Sequence, residues 1–491
     1  MLFIATVFLY PLALIGIGVW RGRNVRSHAD FMVAGRSLSA KALVGTLVCT
    51  WVGSGTLFGG AGLAYRSGLS ALWFSAGAWL GLVGVYHMAP RVRRLAQYTV
   101  PDILEARYNA PARVLGTVAI ILAYVTIAAY QFRGGGWILN IATDGAISAN
   151  TGMYITAATI VIFTAAAGMV SVVSVDIVNG IVIALGVVLA LPYIVFSGGG
   201  PAAVYGALPE EMLTVSGGHN VLWVLGVAMP TFLLLFGESG MYQKFFSAKD
   251  GETARRAVLG MLGGIIVIEI CIALLAMAGR SIYPDLATTT SLTGGAASET
   301  VIIYLARHGL PAAAGALLLA AAIAIVVSSG STMLLVPSTN ISRDIYQRFV
   351  NPDASDRLKL VLQRVSIVAL GGLGLVMLTQ FQSVLAMALY AYSVVGATLT
   401  PVLIAAFTWP RATAQGAVAC IGGGLATIVG LVVGSRLGMD FSTTVGGTTF
   451  DFAGSDYIVI PAVLVSVSLL IIVSLLTPRP DPKTILNFMD S

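Results

Sequence analysis

Charge is scarce in this 491-residue chain: 27 Lys and Arg with 21 Asp and Glu make up only 10% of it, whereas a soluble domain carries about 25%. Cysteine is scarcer still. Cys49, Cys271 and Cys420 all lie inside apolar runs without metal-ligand spacing, which excludes a disulfide framework and a zinc site and leaves them as packing residues. No small-residue cleavage site follows the first apolar run, Leu2 to Trp20, so that run reads as a retained span and not as a removed signal. No basic patch interleaved with aromatics occurs in a soluble stretch. The net charge of +6 therefore does not point to nucleic acid.

Apolar sequence fills the remaining space. The chain is 57% hydrophobic with a mean hydropathy of +0.91, and runs of about 20 apolar residues recur along it. Thirteen membrane spans are expected, near 2–20, 42–64, 69–89, 114–138, 152–171, 176–197, 221–240, 258–279, 311–334, 365–380, 383–408, 414–434 and 456–476. With the N-terminus outside, 22 of the 27 basic residues fall in cytoplasmic segments; the other five are Arg66, Arg133, Arg280, Arg307 and Arg436. That asymmetry gives N-out, C-in orientation by the positive-inside rule. The expected location is a cell membrane, the bacterial inner membrane, with lipid as surroundings and no obligate protein partner.

Two spans are interrupted. Gly53-Ser54-Gly55 and Gly59-Gly60 break the second; Pro230 with Gly237-Glu238-Ser239-Gly240 breaks the seventh. The breaks are five spans apart, so the two helices run in opposite directions, the pattern of inverted five-helix repeats around a midplane solute site. The alternative is that Gly and Ser there merely permit close helix packing.

Polar groups inside spans need a reason. Ser328, Ser329, Ser331 and Thr332 crowd about one turn of the ninth span, and a hard cation such as sodium takes several oxygens in place of its water. Alternatively each hydroxyl bonds its own helix carbonyl. Asp176 reads either as an acid favoured at a helix start or as a carboxylate offered to a cation. Arg133, before Gly134-Gly135-Gly136, offers a fork for a solute carboxylate or snorkels to the interface. Glu238 lies in the second break as a contact for solute or water. Glu269 is a proton site or the counter-ion of Arg133.

These residues resemble the sodium:solute symporter family, which includes sodium/glucose, proline, pantothenate and choline carriers. The resemblance is carried by Ala29-Asp30-Phe31 with Gly35-Arg36-Ser37-Leu38, by Thr50-Trp51-Val52-Gly53 with Gly59-Gly60-Ala61-Gly62, by Ala167-Gly168-Met169 leading to Ser174-Val175-Asp176, and by Val327-Ser328-Ser329 and Ser342-Arg343-Asp344-Ile345-Tyr346. It implies an all-α integral membrane protein with a LeuT-like core. Residues 1–40 would hold the first helix and a loop, 41–197 and 221–409 the two core repeats, 414–476 two peripheral helices and 477–491 a tail. It implies a principal sodium site from the carbonyls of Cys49, Val52 and Ile325 with the hydroxyls of Ser328 and Ser329. A second sodium site would use Asp176, Ser331 and Thr332. Solute positions fall on Trp51, Gly53, Thr56, Phe74, Ser75 and Arg133, and an Arg there favours an anionic or zwitterionic solute. Two departures stand out: Ala167-Gly168 replaces a glycine pair, and Val52 replaces the aspartate of proline carriers. The polar residues of sugar carriers are also replaced, by Trp51, Thr56 and Ser75, which argues against a hexose.

The expected activity is sodium-coupled uptake of a small, carboxylate-bearing organic solute, with no enzymatic role. The alternatives are a proton-coupled carrier using Glu238 or Glu269, a transporter-like sensor, and an intramembrane serine protease, because Gly237-Glu238-Ser239-Gly240 fits a nucleophile pattern that also needs a histidine base.

Overall fold

The computed structural model describes residues 2–22, 36–95, 97–286, 295–381, 383–445 and 448–489. The motif Ala29-Asp30-Phe31 and Gly35 lie outside them, and so does most of the expected loop before residue 40. The chain forms α1 (Leu2–Gly22), α2 (Ala40–Trp51), α3 (Ala61–Ser67), α4 (Leu72–Arg94), α5 (Val100–Arg107), α6 (Ala110–Ala142) and α7 (Ala149–Ser197). It continues through α8 (Val221–Gly237), α9 (Ser239–Ser247), α10 (Gly251–Ile282), α11 (Ala312–Thr339) and α12 (Asp356–Leu378). The last helices are α13 (Val384–Thr408), α14 (Ala414–Arg436), α15 (Val459–Leu476) and α16 (Pro482–Met489).

Helices in lipid satisfy their backbone internally and need caps only where they begin and end. Ser39, Asn109, Ser148, Asn220, Asp250, Ser355, Ser383 and Thr413 each accept, through the side chain, the N–H three residues on. These short polar residues fix the starts of eight helices. Among the described residues, 11 helices are long and apolar enough to cross a membrane, and two shorter apolar helices, Leu2–Ile17 and Ala40–Trp51, accompany them.

The expected interruption of the second span is present: α2 ends at Trp51 and the chain resumes as a π-turn, Gly55–Gly60, that leads into α3. The structure departs from the sequence-based expectation in three places. The expected spans 152–171 and 176–197 follow one another without a helix break in α7, whose parts 149–166 and 172–197 are each apolar enough to cross a membrane; residues 171–176 contain no glycine or proline to force a loop. Pro230 lies inside α8 without ending it, so the second break falls at Glu238 alone. Finally, an antiparallel ribbon pairs Ser442–Val445 with Thr448–Asp451, in the register Thr443 to Phe450 and Thr444 to Thr449. β-Branched threonines and a valine suit a strand better than a helix there.

Burial sorts the helices. α6, α11 and α13 are the most enclosed spans, while α14 and α15 are largely exposed and present Leu464, Ile472, Leu475 and Leu476 outward, as lipid-facing helices do. α16 returns to the core through Phe488, whose ring lies 5.8 Å from that of Phe407. α4 and α8 touch backbone to backbone: a Cβ on Gly77 would strike the Ala228 carbonyl oxygen and Thr231 Oγ1, and one on Gly81 would lie 2.8 Å from the Phe232 oxygen. Small residues permit that approach, and Thr231 Oγ1 ties it by donating to the Phe74 carbonyl at 2.8 Å.

Two polar clasps close opposite ends of the core. At the N-terminal end of α6, Arg113 bridges Asp102 (2.8 Å), Glu105 and Asp344 (2.5 Å). Thr99 also donates to Asp344 at 2.9 Å, and Arg343 and Arg348 pair with Asp102 and Glu105. At the N-terminal end of α13, the buried Glu299 carboxylate accepts from Val384 N–H (2.8 Å), Leu385 N–H (3.0 Å) and Ser383 Oγ (2.6 Å). An anion there offsets the unpaired helix-end donors.

Candidate functional site

The site begins where α2 stops. Val52 leaves helical geometry at ψ 82°, the Gly53 N–H turns back to the Trp51 carbonyl at 2.8 Å, and the chain resumes as a π-turn. Only glycine fits at 53 without displacement, because a Cβ would lie 2.9 Å from Gln131 Nε2 and 3.2 Å from Ser329 Oγ. Ser54 donates its N–H (3.0 Å) and its hydroxyl (2.6 Å) to Gln131 Oε1. Gln131 Nε2 is left buried and without a hydrogen-bond partner.

The second break is built differently. Glu238 separates α8 from α9 and caps the latter, its carboxylate accepting from the Gly240 N–H at 3.2 Å and from the Met241 N–H. The Tyr124 hydroxyl adds a bond of 2.5 Å. A carboxylate at a helix N-terminus is favoured both by the orphan N–H groups and by the helix dipole. Between the breaks lies a small cavity of about 30 Å³, lined by Trp51, Gly53, Tyr130, Gln131, Glu238, Met261, Met333 and Tyr392 among others. No basic side chain lines it.

The four clustered hydroxyls of α11, on Ser328, Ser329, Ser331 and Thr332, are buried but point to different partners. Ser329 Oγ donates to the carbonyl oxygens of Cys49 (3.1 Å) and Thr50 (3.3 Å) at the end of α2. Ser328 Oγ donates to Asp176 Oδ1 at 2.5 Å. Ser331 turns back to its own helix at Val327 O and Ser328 O, the local bonding expected of an isolated serine. Thr332 Oγ1 stands 3.4 Å from Thr50 Oγ1. Val52 and Ile325 are fully buried beside this group. Asp176 is not at a helix start: it lies within α7, wholly buried.

One cation in this region escaped the sequence reading. Lys244 on α9, counted there among the cytoplasmic flanking charges, is fully buried. Its ammonium donates to the Thr46 carbonyl at 2.8 Å and to Thr50 Oγ1, and stands 3.8 Å from Asp176 Oδ2. Thr46 Oγ1 donates to the same carboxylate oxygen. The available signal was local: Lys244 follows the second break by six residues, between Tyr242 and Phe245-Phe246, where a surface loop would not be expected.

The expected solute residues divide into two groups. Trp51 and Gly53 line the cavity. Thr56, Ser75 and the Trp51 indole are instead gathered around Glu269: Trp51 Nε1 donates at 2.9 Å and Trp79 Nε1 at 2.6 Å, and Thr56 and Ser75 line a second, smaller cavity with it. Glu269 thus holds one wall of the cavity rigid through Trp51. Phe74 is buried behind Tyr392, ring centroids 6.2 Å apart. Arg133 donates to the Leu378 carbonyl at 2.7 Å, outside the cavity lining, and is not brought to Glu269. Gln131, Trp79 and Tyr392 were not singled out from sequence.

Among the described residues the protease pattern finds no base; His28 lies outside them. Ser239 Oγ is buried without a hydrogen-bond partner, while His87, His219 and His308 lie against Tyr86, Trp223 and Tyr304. Oxygen donors dominate the region, and among the described residues no group of three or more His, Cys, Asp or Glu gathers as a transition-metal site would.

The sequence profile of the sodium:solute symporter family matches residues 31–424. The high-affinity proline transporter PutP of Bacillus subtilis (strain 168) is 25% identical over 488 residues, covering 96% of this chain and 98% of that protein. The sodium/pantothenate symporter of Escherichia coli (strain K12) is 28% identical over 440 residues, covering 84% and 86%. These relatives are membrane transporters and not enzymes. Among solved structures, a sodium-coupled sialic acid symporter in a substrate-bound outward-open state superposes with a TM-score of 0.77 at 16% identity, over 98% of this chain and 99% of that one. The helical architecture is therefore that of a LeuT-like membrane transporter.

Proposed function

Because the chain belongs to the sodium:solute symporter family, we propose that it carries a small organic solute across the membrane together with sodium, without enzymatic chemistry. The observation that carries this reading is Ser329 of α11 set against the Cys49 and Thr50 carbonyls at the interrupted end of α2. A dehydrated alkali ion needs neutral oxygens from more than one element. The carbonyls of Cys49, Val52 and Ile325 with the hydroxyls of Ser328 and Ser329 form that shell in our reading, and the ion joins two helices that rock against each other.

The solute occupies the cavity between the breaks, against Trp51, Tyr130 and Tyr392. Its polar group accepts from Gln131 Nε2, the buried donor that lacks a partner within the chain. A carboxylate suits that donor, and proline, pantothenate and sialic acid, the solutes named for the relatives, are all carboxylic acids. Arg133 is left out of this role because it stands against Leu378. Thirteen spans with the N-terminus outside, and core repeats over 41–197 and 221–409, complete the proposed topology.

Coupling works through differential affinity: sodium shifts the conformational equilibrium only by binding one state more tightly than the other. At 100 mV each inward charge contributes ~2.3 kcal/mol, close to fifty-fold accumulation. The test is uptake into proteoliposomes of amino acids, carboxylic acids, sugars and quaternary amines, with and without an inward sodium gradient. Sodium-dependent accumulation of a carboxylate is expected. Accumulation driven by a proton gradient and indifferent to sodium would overturn the coupling, and solute binding with no uptake would indicate a sensor.

A further inference from the structure

Of the three residues expected to hold a second sodium ion, the one carboxylate, Asp176, already faces a cation of the protein's own. We propose that the Lys244 ammonium is the resident counter-cation of Asp176, so that the chain binds one sodium ion per transport cycle and not two. This rests on the symport reading above and goes beyond it in fixing the ion count.

The argument is one of occupancy. Asp176 is fully buried and both its oxygens are engaged: Oδ1 by Ser328 at 2.5 Å, Oδ2 by Thr46 Oγ1 and, at 3.8 Å, by the Lys244 ammonium. The same ammonium takes the Thr46 carbonyl at 2.8 Å and the Thr50 hydroxyl. A carboxylate, a carbonyl and a hydroxyl are the oxygen types a hard cation collects, and here a fixed –NH₃⁺ collects them. A sodium ion entering beside it would meet a like charge at contact distance in a site shielded from water. The other expected ligands have turned elsewhere, Ser331 to Val327 O and Thr332 toward Thr50. Removing either member of a buried pair strands the other, so Asp176 without Lys244 would need a replacement cation. Sodium, supplied by the medium, fits the oxygens left behind.

Lys244 also sits six residues beyond the Glu238 break and reaches the last turns of α2. It therefore binds the two interrupted helices to α7 through one charge. The ammonium's partners are Thr46 and Thr50 Oγ1, not Ser329 or the Cys49 carbonyl, which belong to the first ion shell.

The decisive measurement is the count of ²²Na⁺ bound per chain by purified protein in detergent, paired with unfolding temperature as a function of sodium concentration. Wild type is expected to bind one ion. Lys244→Met is expected to bind two, a twofold rise, and to be less stable than wild type without sodium but to recover as sodium is added. The double variant Asp176→Asn/Lys244→Met returns the count to one. Asp176→Asn alone stays at one, an arm that stands even where Lys244→Met fails to fold. Two ions on wild type falling to one in Asp176→Asn would overturn the proposal, as would a folded Lys244→Met that still binds one. A wild type that binds no sodium at all would remove the symport reading itself.

Discussion

Ser329→Ala is the sharpest perturbation of the ion site, because its one oxygen atom meets two backbone carbonyls at the end of α2. The hydroxyl lies 3.1 Å from the Cys49 oxygen and 3.3 Å from the Thr50 oxygen and is buried. Alanine leaves those carbonyls in place, opens a void no larger than one oxygen, and removes one ligand from the proposed shell. An interaction of a hydroxyl with a charged partner contributes about 1.5–3 kcal/mol, and about 1.4 kcal/mol is tenfold in affinity. The sodium concentration for half-maximal uptake should therefore rise by roughly ten- to hundredfold. Solute uptake at saturating sodium should be far less affected, since Ser329 is not among the cavity-lining residues. The assay is initial-rate uptake in proteoliposomes across a sodium series at constant ionic strength. Ser466→Ala on α15 serves as the control, its hydroxyl bonding the nearby Val463 carbonyl far from the ion site. A sodium dependence for Ser329→Ala within twofold of the control would refute the placement of the ion.

Gln131→Ala removes the unpartnered donor and should raise the solute KM about tenfold, as expected for a hydrogen bond to a charged group, with a smaller change in sodium dependence; an unchanged KM would remove Gln131 from solute recognition. Arg113→Gln strands the buried Asp102 and Asp344 and should cost about 3–5 kcal/mol, read as a lower Tm in detergent; a Tm equal to wild type would mean the clasp is not closed in the resting protein. Gly77→Val forces a side chain into the Ala228 carbonyl and should cost about 1–3 kcal/mol or more, whereas Gly422→Ala, whose added Cβ meets nothing within 4 Å, should leave stability near that of wild type. Trp51→Phe frees one Glu269 oxygen while keeping a ring in the cavity wall; solute affinity should fall, and unaltered affinity would show that the pinning of Trp51 does not matter.

Sequence and structure agree most closely where composition alone forces an outcome. The helical architecture followed from apolar runs of span length, and the first break from Gly53-Ser54-Gly55, since a π-turn and a close approach by Gln131 both require small residues there. The crowding of Ser328, Ser329, Ser331 and Thr332 was also readable. Their division among three destinations was not, because it depends on how α11 is rotated against α2 and α7, which no local pattern encodes. Lys244 was hidden by a rule that is correct on average: basic residues near span ends flank membranes, and only the tertiary path of α9 turns this one inward. Arg133 was misleading for a related reason. A lone arginine in a span invites a ligand, but a carbonyl freed at the end of α12 engages it as well. The ribbon of Ser442–Val445 with Thr448–Asp451 leaves no mark in the hydropathy pattern, because its four-residue strands are far shorter than a span.

The direct backbone contact of α4 with α8 limits where the molecule can flex. With the Ala228 and Phe232 carbonyl oxygens nested against Gly77 and Gly81, the two backbones have little room to slide past each other, and the pair has to swing as one splinted rod. Any alternation of access must then be articulated at joints outside that rod. The backbone offers two, at Val52-Gly53 and at Glu238, and both border the solute cavity. Closing the chamber and gripping its contents are on this view a single stroke, which leaves little opportunity for the ion to leak through without its passenger.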